Sequence, residues 1–434
     1  MKVFLQPFVF QLYIQNYIGS FRQLTEALRC DIISVIKIKR GVRMEKITQA
    51  QRLKPPVPSA KAVGRNPSMD VLRIFAFSMI VVTHFFLQSE YYTRALVGPR
   101  MLVMTVVRSF GVTCVPTFIL LTGFLMKNKT WSGKYYSGLK KTLATYFFAS
   151  IPCYLYGAYA ADKLVSVRGF IGDVLSFKAA EYSWYIEMYI GLFLLIPFLN
   201  VLWNNLPSKK QRLVLIVTLI ALTNLPSLIN IYDFGKEGWW LTPVISKKYN
   251  PLIPDWWTNA FPLTYYFIGC YIREYPVKIK RWVNLLLIAV VGISFGAFCF
   301  YRSTPQKFLA GSWHNYNSMF DLALCVLIFI FFANLDLTAW PERLKRLCTR
   351  LSEICLGAYL LSNIPDEFFY AILNERVADV AKRFDYFIII VPVCIISSLV
   401  LAFLVNIVSK ISVRLWDKAE GLVAALFSKS RKKA

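Results

Sequence analysis

Histidine is nearly absent from this chain: its 434 residues include two, His84 and His314. A metal centre built on imidazoles would have too few ligands, and no metal is expected. Paired cysteine motifs are missing as well. The nine cysteines are odd in number, scattered and without C-x-x-C spacing, so they spell neither a zinc site nor a disulfide framework. Charge is scarce: 17% of residues are charged, against about 25% in a soluble globular chain. That excludes an ordinary soluble domain. The net charge of +26 raises nucleic acid as a partner. The basic residues, however, cluster in short connections between apolar runs, where they set membrane topology. No nucleic-acid partner is expected.

Apolar side chains are what the sequence has in excess. Hydrophobic residues make up 56% and aromatics 16%, with a mean hydropathy of +0.48. Long apolar runs recur from residue 70 to residue 409, and the period-two alternation of a membrane β-barrel is absent. The fold expected is all-α and polytopic, with about ten transmembrane helices of about 20 residues each. They lie near 70–89, 102–126, 142–160, 184–203, 213–230, 258–274, 283–301, 316–335, 352–373 and 386–409.

Lys and Arg concentrate in alternate connections: Lys127 to Lys141, Lys209 to Arg212, Arg273 to Arg281, and Arg343 to Arg350. With ten spans these all fall on one side, which makes both termini cytoplasmic. Residues 1–65 are expected to form a cytoplasmic N-terminal segment, with 1–43 expected to be dispensable or a misplaced gene start and Met44 a natural beginning. Residues 66–412 form the membrane domain, and 413–434 a basic cytoplasmic tail. A multi-pass protein of the cell membrane follows, with the lipid bilayer as its first partner.

The first span reads "DVLRIFAFSMIVVTHFF" and carries three ionisable groups, Asp70, Arg73 and His84. Eleven residues make three helical turns, so Arg73 and His84 share a face, about 16 Å apart along the axis. Asp70 precedes Arg73 on nearly the same stripe. Arg73 alone reads equally well as a snorkelling topology anchor that Asp70 neutralises. His84 is harder to dismiss, because ionisable groups inside a membrane are costly and functional by default.

The order of motifs resembles the acyltransferase-3 family. Arg-x10-His follows "N-x-x-M-D"; "FILLTGFLM" (118–126) is similar to a Phe-rich segment ending in Ser-Gly; "YYSGLKKTLATYFFAS" resembles a basic loop entering the third span. "YSWYIEMYIGLFLLIPFLN" (182–200), "YYFIGCYI" (265–272) and "LSEICLGAYLLSN" (351–363) match later positions. Two departures stand out. Gly138-Leu-Lys140-Lys141 replaces the family's Arg-x-x-Arg, and Lys is a point charge where Arg is a bidentate fork. Ala358-Tyr-Leu-Leu-Ser362 replaces Ile-Tyr-Leu-Ile-His, so Ser362 and Asn363 must act there by hydrogen bonding.

The resemblance implies acyl transfer from a cytoplasmic acyl-CoA, foremost acetyl-CoA, to a hydroxyl of an exported or cell-surface glycan or lipid-linked saccharide. It implies His84 as general base or acyl carrier, and Arg73 as donor holder or oxyanion stabiliser. Arg73, Lys134, Lys140 and Lys141 would face the donor phosphates. Glu187 would orient His84 or bind acceptor hydroxyls. Asp70, Trp184, Tyr185, Asp321, Ser362 and Asn363 complete the substrate-binding set, with Asp321 read more readily as a partner of neighbouring polar groups. The tryptophans of 230–257 read as an interfacial belt, and His314 as an ordinary solvated histidine. A glycan-precursor transporter or flippase is the rival reading, opposed by the lack of matched half-chains. A non-catalytic member of a glycan-synthesis complex is the second rival. The motifs do not encode the oligomeric state.

Overall fold

The computed structural model describes residues 65–235, 237–239 and 251–431. The expectations for residues 1–64 lie outside them. The regular elements among the described residues are helices, with no strand. In chain order the helices are α1 (Pro67–Gln88), α2 (Gly98–Val112), α3 (Cys114–Met126), α4 (Gly133–Ser137), α5 (Leu139–Ala160), α6 (Val167–Leu175), α7 (Trp184–Asn205) and α8 (Lys209–Thr223). Then come α9 (Pro226–Ile229), α10 (Phe261–Glu274), α11 (Arg281–Ser303), α12 (Met319–Ala333), α13 (Glu342–Leu361), α14 (Asn363–Arg376), α15 (Val380–Arg383) and α16 (Phe387–Arg431).

Among the described residues, six stretches are long and apolar enough to cross a membrane: Pro67–Gln88, Gly98–Met126, Trp184–Asn205, Arg281–Ser303, Ser312–Ala333 and Val380–Leu422. The expected ten are therefore not reproduced. Two of the others are short: α8 has 15 residues and α10 has 14. At 1.5 Å per residue neither matches the ~30 Å of a hydrocarbon core. The α5 sequence is diluted by Lys140, Lys141 and hydroxyl side chains, and α13 opens on Arg343, Lys345, Arg346 and Arg350. The expected span 352–373 is broken at Ser362, where α13 ends and α14 begins. Residues 413–431, expected as a tail, continue the helix of α16.

Local chemistry sets the helix ends. Asn66 caps α1, its side chain accepting from the Ser68 amide at 3.0 Å, and Pro67 occupies the first turn, where its missing N–H costs nothing. Pro116 divides α2 from α3 because its ring cannot donate to the carbonyl one turn earlier.

α1 is the centre of the bundle, in contact with α2, α3, α12, α13, α14 and α16. Its Leu72, Ala76, Phe77, Val81, Phe85 and Phe86 are fully buried. α3 packs on α10 at a glycine crossing. A Cβ added to Gly123 would collide with the Tyr266 carbonyl, and one on Gly269 with the Leu120 carbonyl. Small residues let two apolar helices approach in this way.

The Lys- and Arg-bearing connections meet one another. Glu274 ends α10 and accepts from Lys127 at 2.6 Å, from Trp203 at 3.0 Å and from Arg212. Asn334 reaches the Val277 carbonyl at 2.9 Å, and Ser68 the Leu335 carbonyl at 2.7 Å. Those links place the start of α1, and with it Arg73, at the end where these connections gather.

Candidate active site

Arg73 lies one turn into α1, beside α13. Its Nη1 donates to Ser352 Oγ at 2.6 Å and stands 3.5 Å from Asp70 Oδ1. Ser352 Oγ in turn donates to Asp70 Oδ1 at 2.7 Å, and Thr349 Oγ1 to Asp70 Oδ2 at 3.1 Å. Asp70 is buried, while the Arg73 side chain keeps 27% of its surface. The carboxylate thus anchors one side of the guanidinium, and part of the rest stays accessible.

His84 occupies the other half of α1 and is 6% exposed. Its Nδ1 lies 2.7 Å from Oδ2 of Asp366, a fully buried carboxylate in the first turn of α14. Ser362 Oγ stands 3.5 Å from the same nitrogen. Tyr182 stacks on the imidazole with centroids 4.0 Å apart, and its hydroxyl reaches Asp366 Oδ2 at 3.5 Å. Gln88 donates to that hydroxyl at 3.0 Å. A carboxylate on Nδ1 keeps the proton there and leaves Nε2 as the basic nitrogen. Imidazole, carboxylate and aromatic ring are therefore brought together from α1, α14 and the segment before α7.

This imidazole lines a cavity of about 270 Å³, together with Tyr182, Trp184, Tyr316, Arg108, His314 and Asn315. A second cavity of about 350 Å³ shares Asn315 and Tyr316 with the first. Its remaining wall is polar, with Asn230, Asp255, Asn259 and Ser312 beside Phe261. Polar amides with an aromatic wall suit a neutral polyhydroxylated ligand, because each hydroxyl needs a partner and each sugar face an apolar surface.

Of the residues singled out from the sequence, His84, Trp184 and Ser362 come together here. Trp184 lies over Tyr316 at 5.7 Å. Tyr185 is buried one layer away, edge-on to Tyr359. Asn363 turns to Glu181 at 3.3 Å and to Glu367 at 3.0 Å. Asp321 is fully buried and engages Tyr265 and Cys325. Glu187 stands exposed in the first turn of α7, where its charge suits the helix dipole; the carboxylate that reaches His84 is Asp366. Lys134 is exposed on α4. Lys140 bridges Asp417 at 3.0 Å and Glu420 at 2.5 Å on α16, and Lys141 is exposed on α5. His314 is half-buried in the cavity wall and not a solvated loop residue; its Nδ1 bonds the Gly311 carbonyl.

Asp366 and Arg108 are the residues that sequence reading passed over. Both lie inside expected apolar spans, so the cost of intramembrane charge was a usable signal for each.

Comparisons with curated proteins and with solved structures return no match to this chain. A family model described as an acyltransferase domain, that of the acyltransferase-3 family, matches residues 66–406. The match takes in Arg73, His84 and Asp366, and the apolar helices make this a membrane protein. The chain belongs to the acyltransferase-3 family of acyltransferases.

Proposed function

We propose that this protein moves an acyl group, foremost acetyl, from a cytoplasmic CoA thioester to a hydroxyl of an exported or cell-surface glycan, and that it does so in the cell membrane. The observation that carries this reading is the buried His84–Asp366 pair on the wall of a cavity. An imidazole held in one tautomer by a carboxylate is suited to take a proton from an attacking hydroxyl.

The work would divide along α1. Arg73, about 16 Å from His84 along the axis, lies at the end where the basic connections gather. That end suits the donor's phosphates. The pantetheine arm would run beside α1 and bring the thioester carbonyl to His84. His84 Nε2 takes the acceptor's proton as its oxygen bonds to the carbonyl carbon. The C–S bond then breaks, and the imidazolium returns the proton to the departing thiolate. The second cavity, beyond Asn315 and Tyr316, would hold a saccharide unit next to the one that is acylated.

The test is NMR of surface polysaccharide, before and after mild base. It compares wild type, a deletion strain, and His84→Ala and Arg73→Ala variants inserted at normal levels. Base-labile acetyl signals should vanish in the deletion and in both variants. An unchanged glycan in all of them would sink the reading.

A further inference from the structure

A buried cation lines the His84 cavity and has no role in the account above. Arg108 on α2 is 4% exposed. Its Nε donates to the Tyr92 hydroxyl at 2.6 Å. The guanidinium lies 4.3 Å from the Phe308 ring centroid and 5.5 Å from that of Tyr92. One hydrogen bond and two aromatic faces hold it in a single orientation. Its Nη1, by contrast, is buried and has no hydrogen-bond partner. Among the described residues no carboxylate forms an ion pair with it. Asp321 lies within its electrostatic reach but is engaged by Tyr265 and Cys325.

A desolvated guanidinium with an unsatisfied donor is costly. Such a donor is useful where negative charge develops during a reaction, because it needs no reorganisation at that moment. In acyl transfer that place is the thioester carbonyl oxygen. We propose that Arg108 stabilises the oxyanion of the tetrahedral intermediate formed in the His84 cavity; this rests on the acyl-transfer reading. As the acceptor oxygen bonds to the carbonyl carbon, His84 Nε2 takes its proton. The carbonyl π pair moves onto oxygen, where Arg108 Nη1 donates to it. The pair then returns, the C–S bond breaks, and the thiolate leaves with the proton from His84. Arg73 cannot serve here, since it sits three turns away and is held by Ser352 and Asp70.

The experiment uses the purified full chain in lipid nanodiscs. It measures transfer of radiolabelled acetyl from acetyl-CoA to the glycan acceptor, with equilibrium binding of acetyl-CoA recorded separately. Arg108→Gln should lower kcat by about 100- to 1,000-fold, with donor binding and acceptor KM within about threefold of wild type. Arg108→Lys should recover part of the loss. Tyr92→Phe, which keeps the charge but removes its anchor, should lower kcat by about tenfold with KM unchanged. Thermal melts show which variants fold; if Arg108→Gln does not, the other two carry the test. A raised acceptor KM with kcat at the wild-type level would overturn the proposal and make Arg108 an acceptor-binding group. Wild-type kcat in both Arg108→Lys and Tyr92→Phe would overturn it too. If wild-type protein itself transfers no acetyl, the acyl-transfer reading fails, and the role of Arg108 fails with it.

Discussion

Asp366 holds His84 from the far end of the chain: 282 residues separate them, yet carboxylate and imidazole meet at 2.7 Å with both side chains buried. Asp366→Asn keeps the shape of this pair and removes its charge. The amide also offers an N–H to Nδ1, which favours the wrong tautomer. By analogy with serine-hydrolase triads, the variant should lose about 10²- to 10⁴-fold in kcat while acyl-donor binding persists. Glu187→Gln should stay near wild type, because that carboxylate is exposed and does not line the His84 cavity. Steady-state kinetics on the two variants separates the two acids. Comparable losses in both would refute this division of labour.

Arg73 and His84 should fail differently. On the proposed reading Arg73 holds the donor in ground and transition state alike, so Arg73→Ala should raise the KM for acyl-CoA by about tenfold or more, equivalent to about 1.4 kcal/mol. Ser352→Ala, which takes away the 2.6 Å anchor of the guanidinium, should raise it by a smaller factor. His84→Ala should abolish turnover and leave donor affinity unchanged. Isothermal titration with a non-hydrolysable acyl-CoA analogue reads affinity directly. Loss of binding in His84→Ala would mean that the imidazole holds the donor.

The basic cluster on α4 and α5 should behave unequally. Lys140 is already bound by two carboxylates of α16, so Lys140→Ala should change the donor KM by less than about threefold. Lys134 is exposed and carries no such pair. Lys134→Ala should weaken donor binding, and the effect should shrink as salt rises from about 0.05 to 0.5 M, where exposed charges are screened. A salt-independent loss at Lys140 would show that its ammonium leaves α16 to meet the donor.

The crossing of α3 and α10 gives a stability prediction. Gly123 and Gly269 each face a backbone carbonyl of the other helix with no room for a methyl group. Gly269→Ala should therefore cost about 1–3 kcal/mol by overpacking. Gly191→Ala meets open space and should be harmless. Melting temperatures in one detergent compare the two. Equal values would mean that the helices separate without penalty.

Local chemistry made much of the protein readable. Apolar runs without period-two alternation announce helices, because a backbone without water must bond to itself. The Asn66-Pro67 start of α1, the shared face of Arg73 and His84, and the small residue in "TGFLM" follow from turn geometry and side-chain size. Family membership was legible too, since it rests on motif order along the chain. Ten spans are not confirmed: α8 and α10 are short, and Ser362 divides one expected helix in two.

Tertiary structure decided which of the buried charges work together. Read in one dimension, the chain offers Glu187 as the partner of His84 and gives no reason to prefer Asp366. Only the packing of α14 against α1 selects Asp366 and leaves Glu187 in the open. Packing of α2 beside the cavity likewise brings Arg108 to His84 and turns His314 from a loop residue into part of the wall. Helical period predicts which residues share a face of one helix, because 100° per residue is a local property. Which faces of different helices meet depends on side-chain shape and glycine-scale clearances across the whole bundle, and those have no signature at any fixed spacing along the sequence.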